Sequence, residues 1–462
     1  MPDPKRQFAL DVVTRLQEAG HQALWAGGCV RDVVMGHGPA DYDVATSARP
    51  EEVQRLFRRT VAVGVSFGVV RVIGRSKQGE VEVATFRTEG AYSDGRHPDH
   101  VEFSTPEADA RRRDFTINGM FFDPVREQLL DFVGGQADIE RQIVRAIGDP
   151  RQRFEEDKLR LLRAVRFAAR FGFALDPATE QAVHAMAPEI RVVSPERIQQ
   201  ELRRMLGDPN RVAAIGLADR VGLLREVLPE LTDMRGVPQG KPVQPDGDLW
   251  DHTLLVLEKI GDAWRMTAER LVLAGAPPEP SFTLVMAALL HDVGKPRTLR
   301  RNGSKLTFYD HEHTGCQMAR EVARRLRLSN DERERIEWLV RYHMYLGEVK
   351  QMRLAKIKRT LAQPGIEELL ALHRADALAT TGLTDSVDYC ERLLRDLPQT
   401  ELNPPPLLTG HDLVRAGLEP GPLFKELLDA VREAQLDGTV HTKKEAVALV
   451  KRLLAEPMQS SE

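Results

Sequence analysis

Two aspartates stand two positions apart in the run GGCVRDVVMGHGPADYDVA: Asp41 and Asp43, behind the glycine pair Gly27-Gly28 and Arg31. Residues at i and i+2 of a strand share a face, so a strand here would present both carboxylates side by side. Mg²⁺ is held by a few carboxylates together with phosphate oxygens and water. Two such ions would serve nucleotidyl transfer, one on the attacking hydroxyl and one on the leaving pyrophosphate. Gly27 and Gly28 lack Cβ atoms and let the backbone approach a triphosphate. Arg31 would add positive charge there, and Glu82, in VEVATFR, is the third carboxylate expected beside them. A bare Asp-x-Asp carries little by itself, because loop edges often hold such pairs.

The whole run is longer and more specific than that. It resembles the signature of the class II nucleotidyltransferases, the family of bacterial CCA-adding enzymes and poly(A) polymerases. RRRDFTINGMFFDP (111–124) is similar to the family's second motif, with Asn118-Gly119-Met120 where the family usually ends in Asn-Ala-Met. The resemblance implies that Gly28, Arg31 and Arg113 bind the nucleotide and that Asp41, Asp43 and Glu82 are catalytic.

Next comes EEDKLRLLRAVRFAARFGF (155–173). At about 100° per residue, Leu161, Leu162, Val165, Ala168 and Ala169 fall in one arc, and Arg160, Arg163, Arg166 and Arg170 in the opposite one. Periodicity alone reads the arginines as a solvated basic face, and their density leaves a polyanion partner as the alternative. The family resemblance makes Asp157 and Arg160 a template for the incoming base, with Arg163 and Arg166 at nucleotide-contacting positions. The chemistry agrees. Cytosine and adenine both show an amino donor beside a ring-nitrogen acceptor; a carboxylate accepts from the first and a guanidinium donates to the second. Uracil and guanine would set acceptor against acceptor. SPERIQQELRRML (194–206) fits a further family motif, expected to be structural, with Ser194 capping its helix.

A second constellation follows: His252, His291-Asp292, His311, His343 and Asp376, in ALLHDVGKP, FYDHEHTG, LVRYHM and LHRADALA. Imidazoles and carboxylates suit Mn, Fe, Ni or Mg ions, and His313 competes with His311. This segment resembles the HD phosphohydrolase superfamily, which implies a second divalent-metal site, either hydrolysing phosphate esters or silent. Residues 407–454 resemble the C-terminal segment of HD-bearing family members, where it helps to hold tRNA.

The elements that must position these groups follow a βαββ rhythm at first. An amphipathic helix is predicted at 5–19, strands at ALWA, Asp41–Ala45, VVRVIG and VEVATFR, and a helix at RPEEVQRLF. The polar stretch Arg87–Pro106 reads as a long loop; by resemblance, 86–103 is the flexible loop needed for adding A. Beyond Phe154 helical patterns dominate, and Pro/Gly-rich stretches at 235–248, 274–281 and 397–406 read as linkers. The expected fold is therefore α+β: a head with a small mixed sheet at 1–140, a helical neck at 141–235, an HD-type helical body at 248–390 and a helical tail at 405–462.

The chain has 462 residues, with 65 Lys+Arg against 69 Asp+Glu, a net charge of −4. That length predicts two to four domains, and 42% hydrophobic with 29% charged residues excludes collagenous or wholly disordered chains. Cys29, Cys316 and Cys390 form no framework, which points to a reducing cytoplasm. No membrane partner and no signal peptide are expected. The resemblance implies tRNA, CTP and ATP as partners, two Mg²⁺ at the head, and CCA addition to tRNA 3′ ends with release of pyrophosphate. The alternatives are an A-adding enzyme or poly(A) polymerase of the same family, or an HD phosphohydrolase as the principal activity.

Overall fold

The computed structural model describes residues 3–64, 68–89, 101–239, 247–303 and 305–455. The chain divides into two compact units, Met1–Pro229 and Glu230–Glu462.

In the first unit, helix α1 (Pro4–Glu18) opens with Asp3 accepting a hydrogen bond from the Lys5 amide. It is followed by β1 (Ala23–Ala26), α2 (Gly28–Val34), β2 (Asp43–Thr46), α3 (Pro50–Leu56), β3 (Thr60–Gly64), β4 (Val69–Ile73) and β5 (Glu80–Thr85). Then come β6 (Arg87–Glu89), β7 (Val101–Phe103), α4 (Pro106–Arg111), β8 (Phe121–Asp123), β9 (Gln128–Leu130) and α5 (Gly135–Glu140). Among the described residues seven strands form one sheet in the order β3-β4-β5-β2-β1-β8-β9. Its neighbours are antiparallel except β2 and β5, which run parallel with Asp43 opposite Glu82.

Alternation along the strands gives the sheet two different faces. Trp25, Val44, Val70, Val72, Val81 and Val83 point to one side and bury against Ala9, Val12, Val13 and Leu16 of α1. Each such Val or Leu contributes roughly 1.5–3 kcal/mol by leaving water. Leu24, Ala26 and Ala45 face the other side with Phe86, Ala110 and Phe121. Asp43 and Glu82, each beside an inward valine, are thereby placed on the face away from α1.

Three expectations change here. The second strand starts at Asp43, so Asp41 lies in the turn before it. Strands β3, β8 and β9 join the sheet although their short apolar runs gave no clear alternation. The ends of the expected 87–106 loop pair as a hairpin, Arg87 opposite Phe103 and Glu89 opposite Val101; residues 90–100 lie outside the described residues.

The helical part of the unit comprises α6 (Pro150–Glu156), α7 (Leu159–Phe171), α8 (Pro177–Met186), α9 (Pro195–Leu206) and α10 (Arg211–Arg220). The predicted apolar face of α7 is buried throughout, and Gly172 ends the helix in the left-handed conformation. Ser194 occupies the N-cap of α9 but its hydroxyl makes no capping bond, with Pro195 instead setting the first turn.

The second unit is nearly all helical. Helices Leu249–Arg270, Phe282–Leu290, His311–Arg325, Asn330–Tyr342 and Ile366–Thr380 surround an apolar interior. The last helices, Gly410–Arg415, Pro422–Leu436 and Lys443–Ala455, share a small core of their own around Leu413, Leu427, Val431 and Val450. No helix of the described residues is long and apolar enough to cross a membrane.

Candidate functional site

A cleft of about 520 Å³ opens in the first unit where β1, β2 and β5 meet α2, α7 and α9. Its floor begins where β1 ends. Gly27 turns the chain into α2 with φ +70°, a region other residues avoid, and a Cβ there would stand 3.0 Å from Arg113 Nη1. One turn into α2, Arg31 is buried. Its guanidinium donates to Asn118 Oδ1 at 2.7 Å and, through Nε and Nη2, to Asp32 Oδ1. Arg113 is held by paired bonds to Asp109 at 3.1 and 2.9 Å and lies over the Phe121 ring. Both cations are fixed in place before any anion arrives.

Asp43 and Glu82, adjacent on parallel strands, face these cations across the cleft. The Asp43 carboxyl is pushed up to about 6, first by the desolvating mass of the cleft wall and then by the neighbouring Glu82 charge, with Arg113 opposing. A desolvated carboxylate set against a second carboxylate is a fit receptor for a divalent cation. Asp41 is not among the cleft residues. Its carboxylate is exposed and paired with the Lys5 ammonium at 3.1 Å, and the same ammonium donates to the Ala40 carbonyl at 2.7 Å. The expected side-by-side pair is thus a pair of Asp43 with Glu82.

The opposite wall carries the expected base-reading residues. Asp157 ends α6, and Arg160 opens α7. They do not pair with each other. Arg160 donates to Glu156 Oε2 and to the Arg153 carbonyl, and both Asp157 oxygens accept from Arg197 of α9, at 3.0 and 2.7 Å. Arg163 reaches the cleft but is tied to Asp114 at 2.8 Å. Arg166 does not reach it: it is buried, donating to Glu201 Oε2 at 2.6 Å. Of the expected open row, Arg163 and Arg166 are therefore neutralised by Asp114 and Glu201 from other segments, and Arg160 by Glu156 one turn before it. Asp114 and Glu201 lie far off in sequence, so helical periodicity could not show them.

Of the cleft residues that the sequence reading did not single out as site residues, Arg197, Asn118 and Asp114 shape its geometry. Arg197 was assigned a structural role, Asn118 was noted only as part of a motif, and Asp114 was not singled out. Asn118 links Arg31 to Asp114, donating to it at 3.2 Å. Burial works to raise the Asp114 carboxyl, but Arg163 and its hydrogen bonds hold it at about 2. Arg197 had one usable signal, a guanidinium in the first turn of a helix opened by Ser-Pro.

In the second unit all six expected ligands converge. His252, His291 and Asp376 offer ligand atoms within 4.8 Å of one another, and so do Asp292, His311 and His343. Asp292 joins the two groups, with Oδ2 at 3.2 Å from His291 Nε2 and Oδ1 at 3.3 Å from His311 Nε2. The Nδ1 atoms of His291, His311 and His343 lie 2.7–2.8 Å from the carbonyls of Ala288, Phe308 and Val340. A carbonyl only accepts, so each Nδ1 carries the proton and each Nε2 lone pair faces inward. Asp292 Oδ1 is buried without an ordinary hydrogen bond. That donor set, with an orphaned oxygen at its centre, fits a divalent transition metal. His313 is outside the cluster, bonded to Gln317.

Three family models match the chain in succession. Residues 23–145 match the poly A polymerase head domain, 172–235 the probable RNA- and SrmB-binding site of polymerase A, and 249–381 the HD domain. The CCA-adding enzyme of Geobacillus stearothermophilus is 42% identical over 221 residues, 48% of this chain and 54% of that one. That of Bacillus subtilis is 45% identical over 199 residues, 43% and 49%. The chain thus spans about half the length of the curated relatives it matches. The crystal structure of a Bacillus stearothermophilus CCA-adding enzyme in complex with CTP superposes with a TM-score of 0.72 at 28% identity, covering 98% of this chain and 99% of that one. Nucleotidyl transfer in this class uses a divalent metal. The chain thus carries a match to the poly A polymerase head domain followed by one to the HD domain, and is similar to CCA-adding enzymes in both sequence and fold.

Proposed function

We propose that this chain adds CCA to the 3′ end of tRNA, taking CTP and ATP as donors and releasing pyrophosphate in the cytoplasm. The observation that carries the reading is the cleft itself. It sets an acidic pair, two anchored cations and a carboxylate–guanidinium pair around one volume of nucleotide size. Asp43 and Glu82, with Asp41, would hold two Mg²⁺ ions, which supply charge neutralisation and activation of the tRNA hydroxyl. Arg31 and Arg113 bind the triphosphate, and Gly27 and Gly28 let it approach the backbone. Asp157 accepts from the base amino group while Arg160 donates to the ring nitrogen. The grip of Arg197 does not block this: Oδ1 is filled by Arg197 and the Leu159 amide, but Oδ2 accepts from Arg197 alone and keeps a second lone pair for the base. Catalysis is then mainly positioning and preorganised charge. In this reading residues 1–140 form the head, 141–235 the neck, 248–390 the HD body and 405–462 a tail that holds tRNA.

The inward-facing Nε2 atoms of the second unit favour an additional activity, metal-dependent hydrolysis of phosphate esters. The test uses tRNA transcripts ending at the discriminator base, at C and at CC, with labelled CTP and ATP. Stepwise C, C, A addition that then stops is expected. Addition of A to the CC-ending transcript alone, or a long A ladder, would replace CCA addition by one of the family alternatives.

A further inference from the structure

Aromatic residues are sparse in this chain, with 4 Trp and 6 Tyr in all. Three of those ten, Trp338, Tyr342 and Tyr345, fall within eight residues at the end of helix Asn330–Tyr342. Trp338 and Tyr342 are one helical turn apart and their ring centroids lie 5.6 Å apart; Tyr342 and Tyr345 follow at 5.5 Å. Arg335 stands over Trp338 at 4.7 Å and Lys356 over Tyr345 at 4.9 Å. The ladder is therefore cation, three rings, cation. Its middle ring is 36% exposed and the adjacent Met344 is 50% exposed, so it is not core packing.

The segment that follows is strongly basic. Residues 349–366 contain no Asp or Glu, and Lys350, Arg353, Lys356, Lys358 and Arg359 fall within ten positions. Lys350, Lys358 and Arg359 are engaged by Asp385, the Leu436 carbonyl and Glu433. Exposed Arg353 and Lys356 have no carboxylate partner among the described residues, and Lys356 joins this segment to the ladder. An exposed tyrosine within an aromatic ladder, beside cations that have no carboxylate partner, matches one chemistry: unpaired nucleobases linked by phosphates.

We propose that Trp338, Tyr342 and Tyr345, with Arg353 and Lys356, form a docking surface for single-stranded RNA, in which an unpaired base stacks on Tyr342. This surface lies wholly within the second unit and does not depend on the reaction assigned to the head.

Tryptophan emission of the full-length protein provides the test, because Trp25, Trp250 and Trp264 are buried at 1%, 3% and 6% exposure. A ten-nucleotide uridine strand should quench the signal saturably, and the same strand in a blunt duplex should do so far less. Trp338→Phe should remove the response. Tyr342→Ala should weaken binding about tenfold, in line with the loss of one stacked base, while Tyr342→Phe keeps it. Lys356→Gln should flatten the salt dependence by about one phosphate contact. Asp43→Asn should leave the quench intact, which separates this surface from the head. Equal quenching by the duplex, no quenching by the strand, or Tyr342→Ala within twofold of the parent would each overturn the proposal, provided circular dichroism shows the variants folded.

Discussion

Arg197 holds both oxygens of Asp157, so the orientation of the proposed base-reading carboxylate depends on a residue outside the nucleotide's own contacts. Arg197→Gln should leave the triphosphate contacts intact and loosen the carboxylate. The expected outcome is a roughly tenfold fall in the kcat/KM ratio of CTP over UTP, read in single-nucleotide addition, because mispairing is then opposed less firmly. Asp114 gives a prediction in pH. Its carboxyl is held at about 2, below its ordinary 3.8, so its stabilising contribution is complete above pH ~4 and is lost as pH falls through about 2. Asp114→Asn should therefore cost roughly 2 kcal/mol at neutral pH, the value of a charged hydrogen-bonded contact. Parent and variant should converge in urea midpoint near pH 2. A gap that persists there would assign the loss to packing instead.

Helix α9 is the element on which the neck turns. Four residues apart, Arg197 holds Asp157 and Glu201 holds Arg166, so one helix face supplies a cation to one wall and an anion to the buried row of α7. Glu201→Gln leaves Arg166 buried without its charge partner, and a loss of roughly 3–5 kcal/mol is expected by thermal denaturation. Which elements exist was largely legible beforehand. The α7 apolar face, α1, and strands β1, β4 and β5 follow from spacing and alternation. The acid partners of α7 were not legible, because Asp114 and Glu201 come from segments about 49 and 35 positions away. Nor was the place of Asp41, since alternation describes a strand and the strand begins at Asp43. The six histidines and aspartates of the second cluster were legible from their residue types together with the resemblance to the HD superfamily, whereas their protonation pattern needed the carbonyl partners.

At the scale of the whole chain, the proposed nucleotide cleft and the proposed metal cluster lie in different compact units, and each should be removable alone. His291→Ala should abolish stoichiometric metal retained by the second unit, measured by elemental analysis, and leave CCA addition within about twofold. Asp43→Asn should do the reverse, with addition reduced at least a thousandfold and retained metal unchanged. Simultaneous loss of both properties in His291→Ala would contradict independent units.

The contact between Lys5 and Asp41 has a practical side. The first helix of the chain carries a lysine whose ammonium sits on a carboxylate of the proposed catalytic trio. The pair is exposed, at 47% and 81% of the side-chain surfaces, and is screened by electrolyte. Raising ionic strength frees Asp41 while it weakens the hold of the arginines on phosphate, so assays at a single buffer composition would mix the two effects. A fusion partner or trimming that disturbs Pro4–Glu18 is likewise not a neutral choice for expression: it shifts the same carboxylate.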